Sequence, residues 1–101
     1  MLTISGSHNG HLYINEDTEV LGSVNGDVDV TAPYHLFLKG SINGNLLVRL
    51  NAHAEVKGTV TGTLTNESGW VDIWGTVNRL YDKDSNRPSS VHPKAVINER
   101  I

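Results

Sequence analysis

A short phrase, Gly-Ser/Thr-x-Asn/Thr-Gly-x-aliphatic, recurs along this chain at a nearly constant interval. Four copies start at Gly6, Gly22, Gly40 and Gly58, and a degenerate fifth copy starts at Gly75. The successive starts are separated by 16, 18, 18 and 17 residues. A fixed period of this length is typical of one coil of a solenoid, in which each repeat stacks on the next.

Aliphatic residues alternate with polar ones around each first glycine. Two positions before that glycine lie Ile4, Val20, Leu38, Val56 and Ile73. Period-two alternation predicts short strands with one buried face, and glycines four residues apart are suited to corners where two backbones approach closely. We therefore expect an internal aliphatic ladder and, outside, ladders of Ser/Thr and Asn/Thr that hydrogen-bond from coil to coil.

These features predict an all-β, single-domain, right-handed three-sided β-helix of about five coils. The 101 residues leave room for one modest core. The alternative is a left-handed helix of hexapeptides, because the aliphatic residues Val24, Val30, Leu36, Ile42, Val48, Ala54 and Val60 lie six apart. The glycines follow the longer period, which favours the right-handed form.

The end of the chain does not follow the repeat. We expect the β-helix over residues 1–80 and a C-terminal cap or tail over residues 81–101. Pro88 and Pro93 forbid a long regular element there. Because a solenoid end exposes unpaired strands, the apolar run 95–97 is expected to fold back over the last coil. A disordered tail is the alternative.

The composition excludes several classes of function. Cysteine is absent, which rules out disulfides, zinc–thiolate sites and cysteine catalysis. No apolar run approaches the roughly 18 residues of a membrane span, and the start lacks the pattern of a signal peptide, so we expect a cytoplasmic protein without a transmembrane segment. The net charge of −3 argues against a dedicated nucleic-acid binder.

The histidines do not form a recognisable metal site. His8 and His11 are three apart and would face opposite sides of a strand, and the other three lack a ligand partner at close sequence spacing: His35, His53 and His92. No serine has a nucleophile-elbow context, and no helix or lysine follows the glycine phrases as in a phosphate loop. We expect a protein that is not an enzyme and that has no cofactor and no metal.

The aromatic residues give the best indication of function. By alternation Trp74 points outward, and Trp70 lies at a corner nearby. Exposed tryptophan is a common anchor of protein contacts. With Tyr34, Phe37 and Arg79, which stands where the fifth phrase is expected to have its second glycine, these residues form the predicted protein interface. The alternative for the tryptophans is that the C-terminal segment packs over them.

The alternation in Val56-Lys57-Gly58-Thr59-Val60-Thr61-Gly62-Thr63-Leu64 resembles the bactofilins, bacterial polymer-forming cytoskeletal proteins with a right-handed β-helix core. The resemblance covers about residues 4–80 and implies nucleotide-free, head-to-tail assembly through the solenoid ends. The leading hypothesis is therefore a non-enzymatic, self-assembling scaffold whose partner is another copy of itself. The alternative is a small cytoplasmic binding or inhibitor protein, such as a toxin-neutralising immunity protein, with one protein partner.

Overall fold

The computed structural model describes residues 1–101 as fifteen short strands without a helix. The first side of the solenoid is a six-stranded sheet. Its strands are, in spatial order, β1 (Leu2–Ile4), β4 (Thr18–Val20), β7 (His35–Leu38), β10 (His53–Val56), β12 (Trp70–Ile73) and β14 (Ser90–Val91). No helix is present that has the length and apolarity needed to cross a membrane.

The other two sides share a nine-stranded sheet. The second side begins with β2 (Ser7–Asn9), β5 (Ser23–Asn25) and β8 (Ser41–Ile42), and the third with β3 (Leu12–Ile14), β6 (Val28–Val30) and β9 (Leu46–Val48). Both sides then continue through three longer strands, β11 (Thr59–Asn66), β13 (Thr76–Asp82) and β15 (Val96–Arg100). Every strand pair is parallel and joins successive coils, which confirms the predicted all-β β-helix. The right-handed winding stays a prediction.

The predicted aliphatic ladder forms the core. Twenty hydrophobic residues are buried in one cluster, and Val20, Leu38, Val56 and Ile73 are fully inaccessible in adjacent strands. The corner glycines allow the coils to stack this closely. A Cβ placed on Gly40 would lie 1.8 Å from the carbonyl oxygen of the preceding corner glycine, so a side chain there meets backbone.

The predicted polar ladders form in part on the second side. The amide Nδ2 of Asn25 donates to Oδ1 of Asn9 at 2.9 Å, and Nδ2 of Asn43 donates to Oδ1 of Asn25 at 2.8 Å. The hydroxyls of Ser7 and Ser23 are 3.3 Å apart. These side chains satisfy one another from coil to coil and stabilise the stack without a ligand.

The solenoid has six coils, one more than the repeat count predicts. Residues 90–100 pair in parallel with the fifth coil through β14 and β15, and β13 continues to Asp82, beyond the expected boundary at residue 80. This sixth coil lacks the glycine phrase and has Ala95 at the corner before Val96. The glycine period in the sequence therefore does not predict it.

Arg79 does not replace a glycine, contrary to the alignment of the fifth phrase. Arg79 pairs with Thr63 and Leu80 pairs with Leu64, while the register shifts between Val60 and Thr63. The fifth coil is therefore one residue shorter than the fourth at this corner, and the second glycine is deleted. The longer β11 accommodates the difference as a local irregularity.

A buried polar network attaches the sixth coil to the fourth and fifth. Asn66 and Asp82 occupy ladder positions that are aliphatic in earlier coils. Asp82 Oδ1 accepts hydrogen bonds from the amide and hydroxyl of Ser89 at 2.8 and 2.6 Å, and its Oδ2 accepts one from Arg100 at 3.0 Å. Asn66 donates to Asp82 at 3.3 Å and accepts from the Gly69 amide at 2.7 Å.

Candidate protein interface

The outer face of the first side carries a column of aromatic rings. Parallel pairing places His35 beside His53, and His53 beside Trp70. The two imidazoles stack with ring centroids 4.1 Å apart, and the centroids of His53 and Trp70 are 6.4 Å apart. Trp70 remains 51% exposed. The column thus presents aromatic surface across three successive coils.

Residues from the C-terminal segment contact both tryptophans without covering them. The guanidinium carbon of Arg87 lies 4.2 Å from the ring centroid of Trp70, and the ring of His92 stacks on Trp74 at 4.0 Å. Trp74 is nevertheless 47% exposed, pointing outward as the alternation predicts. The C-terminal segment therefore packs against part of each ring and leaves the rest accessible, and a protein interface at these rings stays a prediction.

Phe37 lies on the same face, surrounded by charged residues. An open depression of about 250 Å³ is lined by Met1, Glu19, Phe37, Leu38, Lys39, Glu55 and Lys57. Lys39 pairs with Glu19 at 2.9 Å, and Lys57 pairs with Glu55 at 3.1 Å. A second depression, of about 290 Å³, lies beside Trp70 and Arg87. The first side therefore combines exposed aromatic rings, ion pairs and two open depressions.

The structure brings four of the five predicted interface residues to this part of the molecule. Trp70 and Phe37 lie on the first side, Trp74 follows β12 at the next corner, and Tyr34 precedes β7 at the adjoining corner, partly buried against the core. Arg79 does not join them. It lies in the half of β13 that belongs to the third side and pairs with Glu99 at 3.2 Å.

The stacking of His35 on His53 is the feature that sequence reasoning missed. The two residues are 18 apart, the period of the glycine phrase, and Trp70 follows after a further 17. This spacing placed all three in one column, although none of them is close to another along the chain. No group of three or more histidine, aspartate or glutamate side chains is arranged to hold a metal ion.

The environment of His53 favours its neutral form. Partial burial lowers the pKa of His53 below its ordinary value, and the neighbouring His35 lowers it further, while Asp17 and Asp72 oppose the shift. A neutral His53 stacks on its neighbours without charge repulsion. The neutral form of His53 is therefore favoured near neutral pH.

We expect acid to weaken the fold through His53. Because its pKa is lower in the folded chain than the unfolded value of 6.5, the unfolded chain binds more protons as the pH falls through that value. The stabilisation is complete above this pH and is lost below it. Urea unfolding midpoints at pH 7 and pH 5 should differ less in His53→Phe, which retains a ring, than in the wild type.

The matched control is His11→Phe. His11 also stacks in an exposed pair, with Tyr13 at 4.2 Å, but lies on the first coil away from the column. This variant should keep the wild-type difference between the two pH values. An unchanged pH dependence in His53→Phe would show that the column does not contribute to acid sensitivity.

No family model, curated protein or solved structure matches this chain.

Proposed function

We propose that this protein is a non-enzymatic, bactofilin-like scaffold of the cytoplasm, whose partner is another copy of itself. The observation that supports it is the uncovered state of both solenoid ends. At one end β1, β2 and β3 pair with a strand on one side only, and at the other end β14 and β15 do the same. Unpaired parallel edges are templates for further strand pairing.

The inner ladder is incomplete at both ends in the same way. Ile4 and Ile97 pack against the core but stay partly exposed, whereas their neighbours Val20 and Val77 are fully buried. A second copy stacked on either end would bury these side chains and pair the open strands. Terminal repeats of monomeric solenoids need a polar outer surface for solubility, which these ends lack in part.

Sedimentation velocity and electron microscopy of the full chain test this proposal. We expect a concentration-dependent series of larger species, and elongated particles at high concentration. Ile97→Lys should weaken association by at least about tenfold, because the ammonium would be buried between two copies. In the free protein the same lysine can reach solvent from the open end. A chain that remains monomeric at all accessible concentrations would contradict the proposal.

A second candidate function, a binding or inhibitor protein such as an immunity protein, is supported by the aromatic column on the first side. Trp74→Ala is the discriminating variant, because the half-exposed ring lies at the corner after β12, a strand that already has a partner on each edge. It should leave the fold and end-to-end association intact. Loss of association in Trp74→Ala, with retention in Ile97→Lys, would assign the contact to the side surface and favour the binding module.

A further inference from the structure

Gly6 differs from the other first-column corner glycines. At the four later ones, Gly22, Gly40, Gly58 and Gly75, an added Cβ would lie 1.8 or 2.0 Å from the carbonyl oxygen of the corner glycine one coil earlier. At Gly6 nothing lies within 4 Å of that position, and its φ is not positive. The space beside Gly6 is therefore open, whereas a carbonyl group fills the equivalent space at each later corner glycine. No contact within residues 1–101 requires glycine at this position.

The same corners share one backbone hydrogen bond. The amide after each later corner glycine donates to the carbonyl of the preceding corner at 3.0 Å, as Ser23 does to Gly6 and Thr76 to Gly58. Val96 donates to Gly75 at 3.0 Å in the same way, which places Ala95 at the corner of the sixth coil. Ser7 follows the corner of the first coil that the structure describes.

The hydrogen bonds of the asparagine ladder all run in the same direction along the solenoid. In each bonded pair the Nδ2 of the later coil donates to the Oδ1 of the earlier one: Asn25 to Asn9, Asn43 to Asn25, and Asn98 to Asn78. Thr61 interrupts the ladder in the fourth coil, and both parts have the same direction. They leave a donor, Nδ2 of Asn9, at the first coil and an acceptor, Oδ1 of Asn98, at the last. Two first coils facing each other would oppose donor to donor, whereas a last coil on a first coil matches them.

We propose that the first coil of one copy receives the last coil of a second copy in register, with the second copy's Ala95 carbonyl over Gly6 and the second copy's Asn98 beside Asn9. The inference rests on the proposed self-association and adds the register of the contact, with a structural argument for the head-to-tail polarity that the resemblance implies. Stacked in this way, every side of the solenoid continues with the parallel pairing that it has within one chain. The occupant of the open corner at Gly6 is thus a second copy of this chain.

Introduced cysteines test the polarity, since the chain has none of its own. Neighbouring strands are about 4.8 Å apart, which is within the range that a disulfide spans. Asn9→Cys mixed with Asn98→Cys should form a crosslinked heterodimer on mild oxidation. Asn25→Cys mixed with Asn98→Cys is the out-of-register control and should crosslink at least about tenfold less. Equal crosslinking in both mixtures, or disulfide dimers of Asn9→Cys alone, would overturn the proposal.

Gly6→Val tests whether the open corner at Gly6 receives the second copy. The monomer has room for this side chain, so its melting temperature should match that of the wild type, whereas self-association should weaken by at least about tenfold. Wild-type association that persists in Gly6→Val would overturn the proposed contact at Gly6 but would not contradict self-association itself. A wild type that never associates would overturn the proposed function and this inference together.

Discussion

Gly40→Ala is expected to unfold most of this protein at temperatures where the wild type is folded. The new Cβ would lie 1.8 Å from the carbonyl oxygen of Gly22 and 2.7 Å from that of Leu21, and both atoms belong to backbone. No rotamer change relieves such a contact, so the third coil must move away from the second. We expect a loss of about 4 kcal/mol or more, which is a large part of the stability of a small domain.

Thermal unfolding followed by circular dichroism measures this effect. The expected loss corresponds to a fall in melting temperature of roughly 15–30 °C for a domain of this size. Gly6→Ala is the matched control, because it makes the same substitution at the same corner of the first coil, where nothing lies within 4 Å. Similar melting temperatures for the two variants would show that close stacking does not explain the glycine period.

The parts of the fold that repeat were predictable, because the period itself encodes them. Val20 and Leu38 are 18 residues apart and are adjacent in the sheet, as the repeat requires. His35 and His53 are likewise 18 residues apart and adjacent in the sheet. Their stacking was missed because metal and catalytic motifs are sought at short sequence spacing, whereas a solenoid brings together residues that are one coil apart.

The parts that were not predictable lie where the repeat changes. Arg79 was aligned with a glycine because a one-residue deletion is invisible without the strand register. The sixth coil was missed because Ala95 replaces the corner glycine and a polar loop interrupts the period. Placing the predicted interface residues on one face likewise required the register, which separates Arg79 from Trp70 and Trp74.

Asp82→Ala is expected to release the sixth coil from the solenoid while the first five remain folded. The Asp82 side chain is 10% exposed and accepts hydrogen bonds from Asn66, Ser89 and Arg100. Its removal leaves the buried amide and hydroxyl of Ser89 without their acceptor, at a cost of about 2–4 kcal/mol. The sixth coil is otherwise held by two-residue β14 and by β15, whose side chains are mostly exposed. Hydrogen exchange should therefore show reduced protection in residues 90–100 before the earlier coils.

Acidification should reproduce this effect in the wild type. Burial alone would raise the pKa of Asp82, but hydrogen bonds from Ser89, Arg100 and Asn66 outweigh it and hold the pKa below 3.8. The stabilisation is therefore present above that pH and is lost as the pH falls through the folded-state pKa. Asp72→Ala, which removes an exposed carboxylate from the first side, should keep wild-type protection. If Asp82→Ala also keeps it, the network does not anchor the sixth coil. If protection is lost, the end that the proposed self-assembly would use depends on a single buried carboxylate.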